Sequence, residues 1–582
     1  VYFLVTSDES AAPARITGEI APALLLRSFD DGGVALEPGR RFTLATFLAF
    51  VRDHELSHRG QDAARWVWDD TASFYPKLLA ADVRVQRCHD LRLCHAILRN
   101  SALTGASLLA STDRGFWDAA PEQQPTARHR GTALFDLEAE QAPESDSEPE
   151  FRRQLAAVNS SAEPRRIRLL LAAESAGALI AAEMRFAGLP WNTAAHEQLL
   201  TRELGARVPS GVRPERLEQL AATIRVLLDD RTLNPDSQQD LLKALQNAGL
   251  PITSTQQWHL KEVEHPVIAP LLQYRKLSRL LSANGWSWLD AWIVDGRFHA
   301  EYLPGGVVTG RWAARGGGAL QLPKQVRAAV IADPGWTFVV ADAAQLEPRI
   351  LAALSGDLAM AQAGHETDLY AGIVASGVVE TRAHAKVAML GAMYGATTGE
   401  SGRLLPRLAR AYPRALGLTE AAARTGERGD VVTTRLGRSS PRPPDAWLAA
   451  QAQAYAASAS HVDERRARSQ ARDWGRFTRN FVVQGSAAEW ALCWMAEIRT
   501  QLWKLEGSAS VAGRGPGLFA AAPHLVFFLH DEVIVHTPLA LAEQVAALVA
   551  RAATAAGKLL FGDFPVDFPL TVATVENYAD AK

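Results

Sequence analysis

The sequence predicts an α+β protein of several domains, on three observations. At 582 residues the chain is too long for a single hydrophobic core. Its hydrophobic share of 48% and charged share of 21% are those of a globular protein. Short apolar strands that run into acids, Phe338–Ala341 before Asp342 and Leu525–Leu529 before His530-Asp531-Glu532, alternate with long helical stretches.

Residues 1–136 mix a short strand, Tyr2–Val5, with helical stretches such as Pro76–Ala81 and Leu91–Leu98. Residues 137–164 read as a disordered linker, because Glu138–Glu150 is acidic, carries prolines and lacks apolar anchors. From 165 to 280 the pattern is helical, interrupted at Leu233–Ser237, where Asp236 or Ser237 can cap the next helix. The most apolar window, Leu169–Leu189, carries Glu174, Glu183 and Arg185, which favours an amphipathic helix over a membrane span. After Gly296 short strands alternate with helices, and 355–480 is rich in helix and arginine. The net charge of −3 means that a nucleic-acid partner would need a local basic track rather than a basic total. Cys88, Cys94 and Cys493 form neither a disulfide framework nor a zinc spacing, which points to a reducing cytosol. An opening Val1 in place of Met is consistent with a natural N-terminus lying upstream.

Two carboxylates at the tip of an apolar hairpin call for a cationic partner. Strand-end aspartates from distant segments, here Asp342 and Asp531, can share a pair of Mg²⁺ ions for in-line phosphoryl transfer. Taken singly, Asp342 has a plain alternative as a helix cap, and the hairpin acids as a solvated turn. The segment Arg382–Gly395 adds Arg382, Lys386, Leu390 and Tyr394 at intervals of four, along one slowly drifting helical face. Two cations a turn apart suit a triphosphate, and the apolar and aromatic side chains beyond them suit a sugar and base. An ordinary amphipathic helix is the plain alternative for that segment alone.

Together these segments resemble the three polymerase motifs of family A DNA polymerases, the bacterial DNA polymerase I type. The family's first motif, Asp-Tyr-Ser-Gln-Ile-Glu-Leu-Arg, is similar to Asp342-Ala343-Ala344-Gln345-Leu346-Glu347-Pro348-Arg349. Its second is met at Arg382, Lys386, Gly391, Tyr394 and Gly395, and its third at His530-Asp531-Glu532. Thr309-Gly310-Arg311 resembles the primer-terminus arginine motif, Arg476, Asn480 and Gln484–Ala488 the palm helix, and Gln273–Arg279 the thumb helix. The resemblance spans 165–582. It implies a right-hand polymerase with thumb at 213–295, palm at 296–354 and 481–582, and fingers at 355–480. An RNase H-like exonuclease-type α/β domain would precede it at 1–136.

By that resemblance, Asp342 and Asp531 with the Ala343 carbonyl hold two Mg²⁺ ions, for which Mn²⁺ can substitute, and Glu532 is auxiliary. Arg382 and Lys386 neutralise the phosphates, and Lys386 can also protonate the leaving group. Gln345, Leu390, Tyr394 and His530 complete the nucleotide pocket, while Glu347 closes the space beside the sugar 2′ position. Arg311 and Gln484 check minor-groove geometry, and Arg275, Arg279, Arg476 and Asn480 bind DNA, with the other arginines between Arg465 and Arg479 as candidate phosphate contacts. Three departures stand out: Leu390 for an aromatic residue, Ala343-Ala344 for Tyr-Ser, and Tyr370 for histidine. The implied partners are primer-template DNA and deoxynucleoside triphosphates, met by a monomer in the bacterial cytoplasm at the nucleoid, without a membrane.

An active exonuclease of this family needs Asp-x-Glu on its first strand and two further aspartates. Here Asp8 and Glu9 are adjacent and would point to opposite faces, while Asp69, Asp70 and Asp90 lack the expected surroundings. A shortened, inactive remnant is therefore expected, and no segment resembles the family's 5′ nuclease. The expected function is template-directed addition of deoxynucleotides to a primer 3′-hydroxyl, in repair or replication gap filling. A single-subunit RNA polymerase is the rival that Glu347 and the His-Asp-Glu hairpin disfavour. A catalytically silent DNA-binding protein is the rival that Asp342, Asp531 and Lys386 disfavour.

Overall fold

The N-terminal sheet is organised by its first strand, Tyr2–Ser7, which pairs antiparallel with Ala23–Phe29 and parallel with Arg65–Trp68. Arg40–Thr43 and Arg87–Asp90 extend the two edges, giving three antiparallel strands followed by two parallel ones. This is the RNase H-like arrangement. Successive side chains on a strand face opposite ways, and both faces are apolar. Val5, Leu26, Trp66 and Trp68 pack with Phe47, Tyr75 and Leu79, whereas Leu4, Phe29 and Val67 pack with Phe151 and Leu155. The computed structural model describes residues 1–7, 23–58, 60, 63–119, 146–209, 211–365, 368–395, 399–505, 515 and 517–581.

The linker expected at 137–164 is corrected here. Residues 138–145 lie outside the described residues, but Ser147–Asn159 is a helix whose Phe151, Leu155 and Val158 are buried. Their spacing of four and three residues puts them on one helical face, a signal hidden by the acidic composition around it. The helix Pro164–Ala187 follows and buries Ile167, Leu170, Leu171, Leu179 and Met184.

The chain divides into two units: Val1–Ala187 with Tyr302–Ala313 and Val339–Thr574, and Gly188–Glu301 with Ala314–Phe338 and Val575–Lys582. The exonuclease-like module therefore shares a unit with the segments expected to be fingers. The second unit contains the expected thumb, with helices Glu215–Leu227, Gln238–Asn247 and Ile268–Asn284. Ser237 caps the second of these by accepting from the Asp240 N–H at 3.3 Å.

A four-stranded sheet carries the acidic motifs. Trp336–Ala343 lies between Glu532–Pro538 and Leu570–Val575, and His524–Leu529 pairs with the outer side of Glu532–Pro538. The 43-residue helix His461–Trp503 starts from a capping box of Ser460 and Asp463. Its first half is polar and largely exposed, and its second half buries Trp490, Trp494, Met495 and Ile498. The expected fingers–palm boundary at 480/481 falls inside this single helix. Leu539–Phe561 is long and apolar enough to cross a membrane by length and composition. Here the helix Ala542–Phe561 packs its apolar side against His461–Trp503, where the Trp494 indole donates to the Val549 carbonyl at 3.1 Å.

Candidate active site

Every residue of the strand Trp336–Ala343 is buried except Asp342. The hairpin pairs Leu529 with Glu532, so His530 and Asp531 form its two-residue tip. The Ala343 N–H donates to the Asp531 carbonyl at 3.0 Å, which brings the two strand-end aspartates side by side. Glu532 starts its strand buried, so Asp342 and Asp531 are the acids that reach the sheet's open end.

The backbone around this pair is held in uncommon conformations. Five non-glycine residues among those described have positive φ; three are aspartates, which tolerate it, and the others are Gln345 and His530. Both flank the acid pair, where stored strain commonly marks function. Arg349, 1% exposed, holds the first of these turns. Its Nε donates to the Ala344 carbonyl at 3.1 Å, and its Nη1 to the Gly364 carbonyl at 2.7 Å and Asp567 Oδ1 at 2.9 Å. Tyr302 braces the other side, its hydroxyl donating to the Phe528 carbonyl at 2.7 Å.

The helix Arg382–Tyr394 is capped by Thr381, and its exposed face carries Arg382 and Lys386. Leu390 and Tyr394 continue that face half-buried. The helix ends at Gly395 with φ +75°, and a Cβ there would meet the Arg476 side chain at 3.0 Å. Glycine meets the positive φ without strain and leaves the Arg476 side chain undisturbed. Glu347 accepts from both Arg311 and the Tyr394 hydroxyl, tying the second motif to the first. Burial, and then Glu347, push the Tyr394 hydroxyl up to about 12, against a hydrogen bond with Gln484.

Arg476, Asn480 and Gln484 follow one another at helical spacing on His461–Trp503, with Arg476 exposed and paired to Asp473. In the second unit Arg279 is exposed on Ile268–Asn284, and Arg275 is half-buried on the same helix. Its guanidinium donates to the carbonyl and, at 2.9 Å, to the hydroxyl of Thr255. Lys276, given no role from sequence, is exposed beside Arg279 instead. One further residue passed unnoticed in the sequence, Asp368, which pairs with Arg382 at 2.7 Å, while Arg349 matches the first motif but has no role assigned from sequence. A cap position before Leu369 was the only signal available for Asp368.

Asp8 and Glu9 lie outside the described residues. The other three candidate acids, Asp69, Asp70 and Asp90, are engaged in local structure. Asp69 accepts from the Ser147 hydroxyl at 2.6 Å, and Asp70 caps the helix Thr71–Leu79. Asp90 accepts from the N–H groups of Thr71 and Leu93 at 2.7 and 2.9 Å; burial and then Asp70 push its carboxyl up to about 7.

Among the described residues no cluster of three or more His, Cys, Asp or Glu side chains is arranged for a metal ion. Asp342 and Asp531 nonetheless fit a hard divalent cation, because neighbouring strand ends present two carboxylates with backbone carbonyls as additional oxygen donors. With that donor set, Asp342, Asp531 and the Ala343 carbonyl are the groups that would hold it.

Comparison with known proteins places this geometry. The family described as DNA polymerase family A matches residues 212–580. DNA polymerase I, thermostable, of Thermus aquaticus is 25% identical over 479 residues, covering 74% of this chain and 48% of that protein. DNA polymerase I of Chloroflexus aurantiacus is 35% identical over 127 residues, covering 20% of this chain and 13% of that one. The chain thus matches less than half the length of these relatives. Among solved structures, the POL domain of Pol1 from M. smegmatis, in complex with DNA primer-template and dNTP, superposes with a TM-score of 0.65 at 16% identity. That match covers 100% of this chain and 95% of the other, and shows a right-hand polymerase fold. On the extent of the family match and this shared fold, the chain belongs to DNA polymerase family A.

Proposed function

We propose that the chain is a template-directed DNA polymerase that adds deoxynucleotides to a primer 3′-hydroxyl. One observation carries this reading. The Ala343–Asp531 hydrogen bond unites the acid pair, while the Tyr394–Glu347 hydrogen bond ties the cationic helix to the same motif. Both contacts support a reading in which the two carboxylates and the two cations of the helix serve one site. Bound divalent ions supply Lewis acidity to the attacking hydroxyl and neutralise charge on the leaving pyrophosphate. Asp342 and Asp531 would hold them; in this reading Arg382 and Lys386 neutralise the phosphates, and Lys386 serves as the proton donor to the leaving group. Arg311, Gln484, Arg476, Asn480 and Arg279 supply the DNA contacts.

Primer extension tests the reading. The wild type is expected to extend a matched primer in template order with dNTPs and to use rNTPs poorly. Glu347→Ala opens the space beside the 2′ position and is expected to narrow that preference by about ten- to a hundredfold. Equal use of both nucleotide classes by the wild type would instead support the RNA polymerase reading.

We further propose that residues 1–119 and 146–187 form an exonuclease-like module without exonuclease activity, because Asp69, Asp70 and Asp90 are committed to capping and packing. A primer with a mismatched 3′ end is expected to keep its length on incubation with enzyme and Mg²⁺. Shortening by wild type that a polymerase-dead variant retains would show that Asp8 and Glu9 still serve a nuclease. The setting we propose is repair or replication gap filling.

A further inference from the structure

Arg382 heads the cationic face of its helix, yet one edge of its guanidinium is already filled. Nη2 donates to Asp368 Oδ2 at 2.7 Å, and Nε lies 3.3 and 3.2 Å from Oδ1 and Oδ2. The same Oδ2 accepts from Gln345 Nε2 at 2.9 Å. Oδ1 meanwhile accepts from the Ala371 N–H at 2.9 Å and so caps the helix Leu369–Ala375. The Arg382 guanidinium also lies over the Tyr370 ring, 5.5 Å from its centre. One carboxylate thus engages Gln345 of the first motif and Arg382 of the second.

The chemistry of this contact resembles that of a phosphate. Arginine presents its donors in a planar fork that takes either a carboxylate or a phosphate edge-on. An edge occupied by Asp368 is unavailable to a triphosphate until the aspartate lets go. We propose that Asp368 is a resident counterion that competes with the nucleotide triphosphate for Arg382 and Gln345, making nucleotide binding an exchange of anions. The proposal rests on the polymerase reading for its substrate, though the competition concerns any polyphosphate.

Such competition sets how tightly any polyphosphate binds. A bare polyphosphate and a nucleotide must both displace Asp368, at the same cost. A nucleotide whose sugar and base also find Glu347, Leu390 and Tyr394 brings additional contacts to the same displacement. The exchange therefore weakens both ligands alike, and the preference for a nucleotide comes from those additional contacts. Because Oδ1 holds the cap and Oδ2 the shared donors, Oδ2 can yield its partners while Oδ1 keeps the helix start intact.

Asp368→Asn tests this, since asparagine caps a helix about as well as aspartate but lacks the charge. The full chain is titrated calorimetrically with inorganic tripolyphosphate in Mg²⁺. Asp368→Asn is expected to bind about two- to fivefold more tightly than wild type, the range for an exposed ion pair. KM for a matched dNTP should fall by a similar factor, with kcat changing less. In an Arg382→Ala background the Asp368 substitution should have no further effect, because the contested group is gone. If the Asn variant folds poorly, Asp368→Ser repeats the comparison with another capping residue. A role confined to capping predicts unchanged tripolyphosphate affinity, and that result overturns the proposal. Tightening that persists without Arg382 overturns it as well. A wild type that binds tripolyphosphate but extends no primer removes the polymerase reading alone; the binding comparison still decides the competition.

Discussion

Replacing Asp531 or Asp342 with alanine is expected to lower kcat for nucleotide addition by about a thousandfold or more. The estimate follows from the several kcal/mol of charge stabilisation supplied by a metal site, at about 1.4 kcal/mol per tenfold in rate. Stability should change far less. The two strands are paired in the sheet, and the Ala343 N–H to the Asp531 carbonyl adds a backbone contact that alanine retains. Glu532→Gln should lose much less activity, because that side chain is buried at the start of its strand. Chelation of divalent ions should silence the wild type, and added Mn²⁺ should restore it. Single-turnover extension on a matched primer, alongside thermal melts, reads all of these. Near-normal rates for Asp531→Ala would show that the paired aspartates do not carry the chemistry.

The acid pair was legible because its sequence signal is chemical. An apolar strand running into a carboxylate has an ordinary alternative as a cap or a turn when met singly, and only the combination of two such strands with the cationic helix points to a site. The cationic helix was legible for the same kind of reason, since four residues at intervals of four fix a face before any tertiary contact is known. Sequence was silent where meaning depends on what folding brings near. Arg349 looks like one more helical arginine until three backbone carbonyls and Asp567 converge on it. Arg275 reads from sequence as a phosphate contact, and its hydrogen bond to Thr255 is one that no spacing announces. Ser147–Asn159 misled for a local reason: its acids dominate the composition, while Phe151, Leu155 and Val158 decide its fate. The linker reading weighed charge over periodicity, and burial on the sheet reverses that weighting.

Glu183→Gln is expected to destabilise the protein by about 3–5 kcal/mol at neutral pH, the range for breaking a buried ion pair from one side. Glu183 sits on the helix Pro164–Ala187 between two guanidinium groups. Arg499 of the long helix His461–Trp503 donates to it at 2.7 and 3.0 Å, and Arg84 at 3.3 and 3.2 Å. The Tyr75 hydroxyl adds a further hydrogen bond at 2.7 Å. Burial alone would raise this carboxyl, but Arg499 and then Arg84 outweigh it and bring it down to about 2. A depressed carboxylate lends stability that is present above its unfolded value near 4.5 and is lost as pH falls towards 2. The gap between wild type and Glu183→Gln should therefore close over that interval, by about 3 kcal/mol. Urea titrations at pH 7 and pH 3 capture about 2 kcal/mol of that closure, because pH 3 still lies above the folded value, and a difference under about 1 kcal/mol at pH 7 would contradict the ion-pair role. Replacing Glu183, Arg84 and Arg499 together with apolar residues should recover much of the loss, since no charge is then left buried without a partner. The same network bears on the exonuclease-like module. Tyr75, Arg84 and the carbonyls of Val85 and Gln86 all come from it, and the last two accept from Arg499 at 2.6 and 2.9 Å. Deleting residues 1–136 would leave Glu183 and Arg499 without these partners and uncover Leu179, which packs with Trp66, Tyr75 and Leu79. A chain lacking residues 1–136 is thus expected to aggregate, and a well-folded, active 137–582 fragment would show that the module braces nothing.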